Sequence, residues 1–121
     1  MQEKRVSVRT NLLAVDARVS QGNDEWTDIT VRDISDGGLG FVSDVQFTKG
    51  TKLVLEGDAT DVATSIDIDC DVEVIFCGRP EAEGGKYLCG VRFLDMPKQH
   101  HTELGIFIEK IVSKYPSLLV D

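Results

Sequence analysis

The residues best suited to chemistry lie between Asp33 and Gly40, DISDGGLG, directly after a run typical of a β-strand. Asp33 and Ser35 are two residues apart, so on a strand both side chains leave the same face. An ionised carboxylate accepts two N–H donors side by side, which is what the N1–H and N2–H₂ edge of guanine offers. Gly37 and Gly38 allow a positive φ and let a ligand approach the backbone closely. The stretch therefore predicts a compact site for such a base, although a plain hairpin turn capped by Asp33 or Ser35 explains the same residues.

A second candidate lies in the N-terminal segment, where Arg5 and Arg9 are four residues apart with β-branched residues between them. Such residues disfavour a stable helix there. Arginine offers a planar fork that binds phosphate through two hydrogen bonds, reads the O6/N7 edge of guanine and stacks on a base. Lys4 adds a point charge beside the pair. The segment is suited to an anionic nucleotide, although two N-terminal arginines are also typical of a solvated tail.

The elements that must position these residues are short strands in which apolar side chains alternate with polar ones. Strands are predicted over residues 12–19, 26–35, around 39–41, 52–55, 66–77 and 87–93. The clearest is 66–77, whose predicted apolar face is formed by Ile66, Ile68, Cys70, Val72, Val74 and Phe76. The last two strands are expected to pair as an antiparallel hairpin. The predicted fold is therefore mainly β, a small six-stranded antiparallel β-barrel of the split-barrel kind.

The period of the apolar residues changes near the end of the chain. One helical stripe is formed by Leu104, Phe107, Ile108, Ile111, Val112 and Tyr115. It predicts a C-terminal α-helix over about residues 98–115, with Pro97 at its start and Pro116 at its end. The simplest use of the stripe is to pack against the barrel. Without a linker or repeat, the chain is expected to form one barrel domain over residues 11–121, preceded by a flexible arm over residues 1–10.

Composition and charge narrow the class of protein. The chain has 121 residues and a net charge of −8, and residues 1–10 carry three basic groups against one acidic group, which leaves −10 for the rest. An RNA- or DNA-binding barrel needs a basic, aromatic face, so the charge argues against it. No apolar run is long enough to insert in a membrane, and no secretory signal precedes the domain, so the expected location is cytoplasmic. The three cysteines, Cys70, Cys77 and Cys89, are expected to be reduced core residues rather than a disulfide or a zinc site.

Other groups of polar residues in the sequence do not match known metal or catalytic sites. The Asp67-x-Asp69-x-Asp71 pattern lacks the glycine and the final glutamate of a calcium loop, so a solvated strand face explains it. His100 and His101 are adjacent and would diverge on a helix, which excludes a metal pair at i, i+4. Nucleophile motifs, a P-loop and a complete dinucleotide fingerprint are all absent. The sequence therefore predicts neither an enzyme nor a metal site.

Taken together, the two candidate segments are similar to the motif pair of the PilZ domain family. That pattern is RxxxR on an N-terminal arm, followed some twenty to thirty residues later by [D/N]xSxxG; here 23 residues separate Arg9 from Asp33. The segment Gly90-Val91-Arg92-Phe93 also resembles the closing strand of the family, and the C-terminal helix matches in place. The chain is thus identified as a stand-alone, single-domain member of the family, whose members bind the bacterial second messenger cyclic dimeric GMP (cyclic di-GMP).

The resemblance implies a role for each motif residue, with cyclic di-GMP as ligand and no cofactor. Arg5 and Arg9 would clamp phosphates and the guanine Hoogsteen edge, and would stack against the bases. Asp33 and Ser35 would hold the guanine from the barrel side, and Gly38 would give the strand the conformation needed beside the ligand. Three further residues are candidate contacts: Lys4, Gly37 and Arg92. Lys4 occupies the position before the RxxxR motif, which in this family influences whether one ligand or an intercalated pair is bound. For Arg92, a plain surface charge is the alternative.

The expected mechanism is an ordering switch. The two ligand phosphates would draw the mobile arm onto the barrel and create a surface for an unidentified effector protein, with output in motility, adhesion, biofilm polysaccharide or transcription. The alternative is a PilZ-like adaptor that acts through protein contacts without binding a nucleotide. A monomer or a weak homodimer is compatible with the sequence, as is binding of one or two ligands per protomer.

Overall fold

The computed structural model describes residues 7–10, 13–61, 64–79 and 84–120. Within these ranges the chain forms nine strands, one α-helix and a single 3₁₀ turn at Pro116–Leu118. In chain order the elements are β1 (Ser7–Arg9), β2 (Ala14–Ser20), β3 (Trp26–Ser35), β4 (Gly38–Ser43), β5 (Lys52–Thr60), β6 (Ser65–Asp67), β7 (Cys70–Gly78), β8 (Tyr87–Phe93), α1 (Lys98–Lys114) and β9 (Leu119–Val120).

Six of the strands close into a barrel. The hydrogen-bonded order is β2-β5-β7-β8-β4-β3, and β3 pairs back onto β2, with every pairing antiparallel. The predicted six-stranded antiparallel barrel is therefore confirmed, and so is the hairpin between β7 and β8. The predicted strand over 66–77 is two strands, because β6 pairs with the end of β5 before the chain continues into β7. Closure leaves few free strand edges, which suits so short a chain.

The C-terminal helix packs against the barrel core. Leu104, Phe107, Ile108 and Ile111 are the buried residues of α1, and they belong to the same apolar core as the inward-facing barrel residues. Val112 and Tyr115 pack at its edge. The predicted helix and its packing against the barrel are thus confirmed. Within the ranges that the structure covers, no helix is long and apolar enough to cross a membrane.

The short strand β1 ties the N-terminal segment to the rest of the fold. Val8 is 0% exposed and packs in the core, and the Thr10 hydroxyl donates a 2.7 Å hydrogen bond to the Val31 carbonyl. β1 pairs with β3 on one side and with β9 on the other. The second half of the predicted arm is thus part of the sheet. Residues 1–6 lie outside the described residues, so the mobility of the arm stays a prediction.

Two β-bulges change which side chains face outward. The β3–β4 register shifts between Val31 and Asp33, so Arg32 is an extra residue relative to β4. The β7–β8 register shifts in the same way between Val74 and Phe76, with Ile75 as the extra residue. A bulge re-aims every side chain that follows it on the strand, because strand faces alternate with a period of two.

In β7 the bulge overturns two sequence-based expectations. Phe76, predicted on the same apolar face as Val72 and Val74, is instead 50% exposed. Cys77 takes the inward position, opposite the buried Cys89 with a Cα–Cα distance of 4.1 Å, and the two form a disulfide. The prediction that all three cysteines are reduced is therefore wrong for this pair.

The third cysteine, Cys70, is free and partly buried. Burial, with smaller contributions from nearby aspartates, raises the pKa of its thiol to about 12. The thiol is therefore protonated at neutral pH and is a poor nucleophile.

Candidate functional site

The candidate site is built on one row of residues that crosses five strands. Arg9 on β1 is the register partner of Asp33 on β3, and Asp33 is the partner of Gly40 on β4. Gly40 is the partner of Gly90 on β8, and Gly90 is the partner of Phe76 on β7. We call these five residues the central row. Adjacent members have Cα atoms about 4.5–5.5 Å apart, so the row brings four distant parts of the sequence onto one outer surface.

The bulge at Arg32 is what places Asp33 in this row. Ile29 and Val31 face the core, so an unbroken strand would turn Asp33 inward as well. After the extra residue, Ile34 is fully buried instead, and Asp33 and Ser35 are both partly exposed. The sequence-based expectation that Asp33 and Ser35 share a face agrees with this register.

The Asp33 carboxylate lies over a bare stretch of backbone. A Cβ on Gly40 would be 3.0 Å from Oδ2 and 3.1 Å from Oδ1 of Asp33, so the absence of a side chain there makes room for the carboxylate. Burial raises the pKa of Asp33 from 3.8, and a hydrogen bond from the Gly40 backbone N–H offsets part of this effect. The group is therefore a partly desolvated acceptor, which is the state that gains most from a ligand supplying N–H donors.

Ser35 organises the turn that follows Asp33. Its Oγ accepts a hydrogen bond from the Gly37 backbone N–H and donates one to the Gly38 carbonyl, both at 3.3 Å. The local capping that a plain turn requires is thus present. Ser35 also borders the same groove as Asp33, so its two roles are compatible.

Gly38 is required by the packing of strands and not by a left-handed backbone. Among the described residues the glycines with positive φ are Gly22, Gly50, Gly84 and Gly85, so neither Gly37 nor Gly38 has the positive φ that the sequence suggested. A Cβ on Gly38 would instead overlap the Val91 carbonyl oxygen of β8. The glycine lets β4 and β8 approach closely beside the groove.

Replacing Gly38 by alanine should lower the free energy of unfolding by about 1–3 kcal/mol, because the overlap is with backbone that cannot rotate away. The matched control is Gly105→Ala in α1, where an added Cβ meets no atom within 4 Å. That change should raise the free energy of unfolding by about 0.5–1 kcal/mol. Denaturant unfolding of both variants measures the difference. Equal stability of the two variants would contradict this explanation of Gly38.

Arg9 lies at the edge of the site. Val8 fixes the strand by pointing into the core, so Arg9 points outward on the same side as Asp33. It forms no ion pair with any residue that the structure describes. Arg9, Arg32 and Asp33 line a cavity of about 850 Å³ on this side. Lys4 and Arg5 lie outside the described residues, so their predicted contacts are not placed.

On the other side of Asp33 is a smaller groove of about 230 Å³, which we call the central groove. Its lining includes Asp33, Ser35, Gly40, Phe76, Gly90 and Arg92. Arg92 is ion-paired with Glu73, its Nε donating to Oε1 at 2.6 Å. The groove is smaller than the roughly 300–1,000 Å³ of most complete ligand sites, so it suits one base of a dinucleotide, with the rest lying outside.

A third groove, of about 640 Å³, lies on a different part of the barrel. Its carboxylates are Asp16, Asp28, Glu56, Asp58, Asp67 and Asp69, with Arg18 as a counter-charge. This surface repels a phosphate diester, so it does not suit the anionic nucleotide that the sequence motifs predict. Across the described part of the chain, no group of three or more His, Cys, Asp or Glu side chains is arranged to hold a metal ion.

Sequence reasoning missed Gly40, Gly90 and Phe76, which complete the central row. The available signal was in the spacing of buried residues: Val31 and Ile34 are three residues apart, which an unbroken strand does not produce. That spacing would have indicated the first bulge. Nothing comparable marks the second, because Phe76 keeps the regular spacing from Val74.

Comparison with known proteins gives one family and several similar folds. The family model described as PilZ domain matches residues 3–110. Bacillus subtilis inhibitor of motility (MotI/DgrA) superposes with a TM-score of 0.75 at 17% identity, covering 95% of this chain and 53% of that one. The PilZ domain of Escherichia coli YcgR with c-di-GMP gives 0.69 at 11% identity, covering 97% and 96%.

The MrkH–c-di-GMP complex of K. pneumonia gives a TM-score of 0.78 at 13% identity, covering 97% of this chain and 55% of that one. The chain thus spans about half the length of the MotI and MrkH chains. At these identities the likeness is one of fold. A search of the curated proteins found no match.

Proposed function

Because the chain belongs to the PilZ domain family, we propose that it is a receptor for cyclic di-GMP and that the central row is its binding surface. The observation that carries this proposal is the register of β1 on β3, which sets Arg9 directly opposite Asp33. A carboxylate suited to the donor edge of a base and a guanidinium suited to a phosphate thus lie side by side. YcgR and MrkH, which share the fold, were solved as complexes with this nucleotide.

The chemistry of the two groups divides the ligand between them. Asp33 would accept the N1–H and N2–H₂ donors of one guanine bound in the central groove. These two hydrogen bonds would offset the desolvation of the partly buried carboxylate. The Ser35 hydroxyl adds a donor or acceptor beside it. Arg9 would bind a phosphate through its planar fork, and Arg5 is proposed for the second phosphate or the Hoogsteen edge. The proposed activity is ligand binding alone, with no chemical step.

The proposed switch is the stabilisation of β1. This strand has only three residues, so few hydrogen bonds hold it between β3 and β9. A ligand that joins Arg9 to Asp33 bridges β1 and β3 and should slow local opening of β1. The stabilised strand and the adjacent helix α1 would then present a different surface to an effector protein.

Ligand should therefore slow hydrogen exchange at the Thr10 amide, which donates to the Arg32 carbonyl at 3.1 Å across β1 and β3. The Leu55 amide, on β5 away from the site, is the internal control and should not change selectively. Exchange measured by NMR with and without cyclic di-GMP tests this. Equal protection of Thr10 in both states would contradict the ordering switch, even if the ligand binds.

The proposed function itself is tested by calorimetric titration of the purified protein with cyclic di-GMP, using GTP as the control nucleotide. Binding of the cyclic dinucleotide but not of GTP is the expected result, and the stoichiometry distinguishes one ligand from an intercalated pair. A melting temperature that rises with ligand concentration should accompany it, since 100 times Kd of ligand adds about 2.7 kcal/mol. If no heat of binding and no thermal shift are observed, the receptor proposal is overturned. The alternative, an adaptor that acts through protein contacts alone, then remains.

A further inference from the structure

We propose that Phe76 is a ligand-contacting residue, whose ring is the platform on which the guanine base stacks in the central groove. This inference rests on the proposed function and extends it to a residue outside both motifs. Aromatic rings bind bases through their faces, and such stacking tolerates any base because each has a π-face. In a guanine site, stacking would add affinity while the carboxylate of Asp33 supplies selectivity.

The first argument is that the fold exposes Phe76 by a specific device. Phe76 is 50% exposed, the most exposed of the large hydrophobic side chains in the described residues. Without the extra residue Ile75, Phe76 would continue the inward face of Val72 and Val74. Bulges of this kind are common beside binding sites, where they re-aim a side chain. An aromatic ring turned from the core into a groove loses burial in the free protein, and a planar ligand would restore that burial.

The second argument is what lies beneath the ring. The ring atoms Cδ1, Cε1 and Cζ of Phe76 are the atoms nearest to the position of a Cβ on Gly90, and that Cβ would collide with them. Gly90 therefore lets the ring rest on the backbone of β8. The ring is supported from below, and half of the side chain remains open to solvent.

The third argument is the distance to Asp33. The two residues are separated in the central row by Gly40 and Gly90, which carry no side chains. The carboxylate lies over Gly40 and the ring lies over Gly90, so they approach one another to about one strand spacing, roughly 5 Å. A purine whose Watson–Crick edge meets Asp33 would therefore extend over the Phe76 ring.

The experiment measures cyclic di-GMP affinity by calorimetry for the wild type and for Phe76→Ala, Phe76→Leu and Phe76→Trp. Alanine and leucine should weaken binding about tenfold, within the range found for loss of one base–aromatic stack, and tryptophan should bind at least as tightly as the wild type. The matched control is Val54→Ala, which removes an exposed apolar side chain of β5 that is not among the residues lining the groove. It should leave affinity unchanged.

A spectroscopic readout reports the stack directly. Trp26 is the only tryptophan of the chain, so the Trp26→Phe, Phe76→Trp double variant carries a single fluorophore in the groove. Its emission should change on ligand addition and saturate at the calorimetric stoichiometry.

The outcomes separate the two proposals. If the wild type does not bind, the receptor proposal fails. If the wild type binds and Phe76→Leu binds equally well, the stacking role of Phe76 is overturned while the receptor stands. If the double variant binds the ligand but its fluorescence emission does not change, the stacking role of Phe76 is overturned as well. Melting curves identify any variant that has lost its fold. If Phe76→Ala is such a variant, Phe76→Leu still tests the stacking role, because leucine keeps most of the apolar volume and lacks the aromatic ring.

Discussion

Replacing Arg9 by alanine is expected to lower the affinity for cyclic di-GMP at least about 100-fold, because the two charge-assisted hydrogen bonds that it loses contribute about 1.5–3 kcal/mol each. Within the described residues the guanidinium forms no ion pair, and Arg9 lies opposite Asp33. No internal ion pair there therefore competes with the ligand for its hydrogen bonds. Fold stability should change little, because the side chain is exposed while Val8 supplies the anchoring contact. Titration calorimetry and denaturant unfolding measure the two quantities.

Two further variants separate charge from geometry. Arg9→Lys keeps the charge and loses the planar fork, so its affinity should lie between those of the wild type and the alanine variant. Arg18→Ala removes the same charge from another part of the barrel, where Arg18 pairs with the exposed Glu56. It should bind almost as the wild type does. Unchanged binding by Arg9→Ala would mean that the nucleotide, if bound, lies elsewhere.

The second large effect is expected at Asp33. Asp33→Ala removes both acceptors for the guanine edge and should lower affinity about 10- to 100-fold. The wild-type affinity should also fall on acidification, because a protonated carboxyl loses one of its two acceptors. The pKa of Asp33 is raised from 3.8 by burial, so this loss begins at a higher pH than for an exposed aspartate.

In the free protein the same group acts on stability with the opposite sign. A carboxyl whose pKa is higher in the folded state favours folding when protonated, so its contribution to the free energy of unfolding increases as pH falls through that raised pKa toward 3.8. Acid thus weakens binding through Asp33 while it does not weaken the fold through Asp33.

Asp33→Asn is the control for this titration. An amide has no carboxyl to protonate, so the acid-dependent part of the affinity should disappear in this variant. Asp44→Ala, which removes an exposed carboxylate at the end of β4 outside the central groove, should keep the wild-type profile. A wild-type affinity that is constant from neutral pH to the onset of acid unfolding would refute the role of Asp33.

Much of the fold could be predicted from the sequence because alternation and helical period are local properties. The strands around Val15, Val31 and Val91 and the stripe on α1 need only neighbours along the chain to be recognised. A bulge is different, since one extra residue is defined only relative to a partner strand. The sequence therefore predicted the hairpin of β7 and β8 correctly but assigned Phe76 and Cys77 to the wrong faces.

The candidate site was predictable where its residues form a motif and not where they meet through register. Asp33 and Ser35 are close in sequence, and a family pattern joins them to Arg9. Gly40, Gly90 and Phe76 become neighbours only because three pairings across the barrel align them. The same register error explains the cysteines, because Cys77 meets Cys89 only after the extra residue Ile75.

The pairing of β1 with β9 has a practical consequence for anything attached to this domain. Ser7 is the register partner of Val120, so segments joined before β1 and after β9 leave the barrel as neighbours, on the strand that carries Arg9. Two fluorescent proteins fused at these two ends would lie side by side, and the distance between them would change with the position of β1. If ligand binding changes the position of that strand, as proposed above, energy transfer between the fused proteins would report occupancy of the central groove.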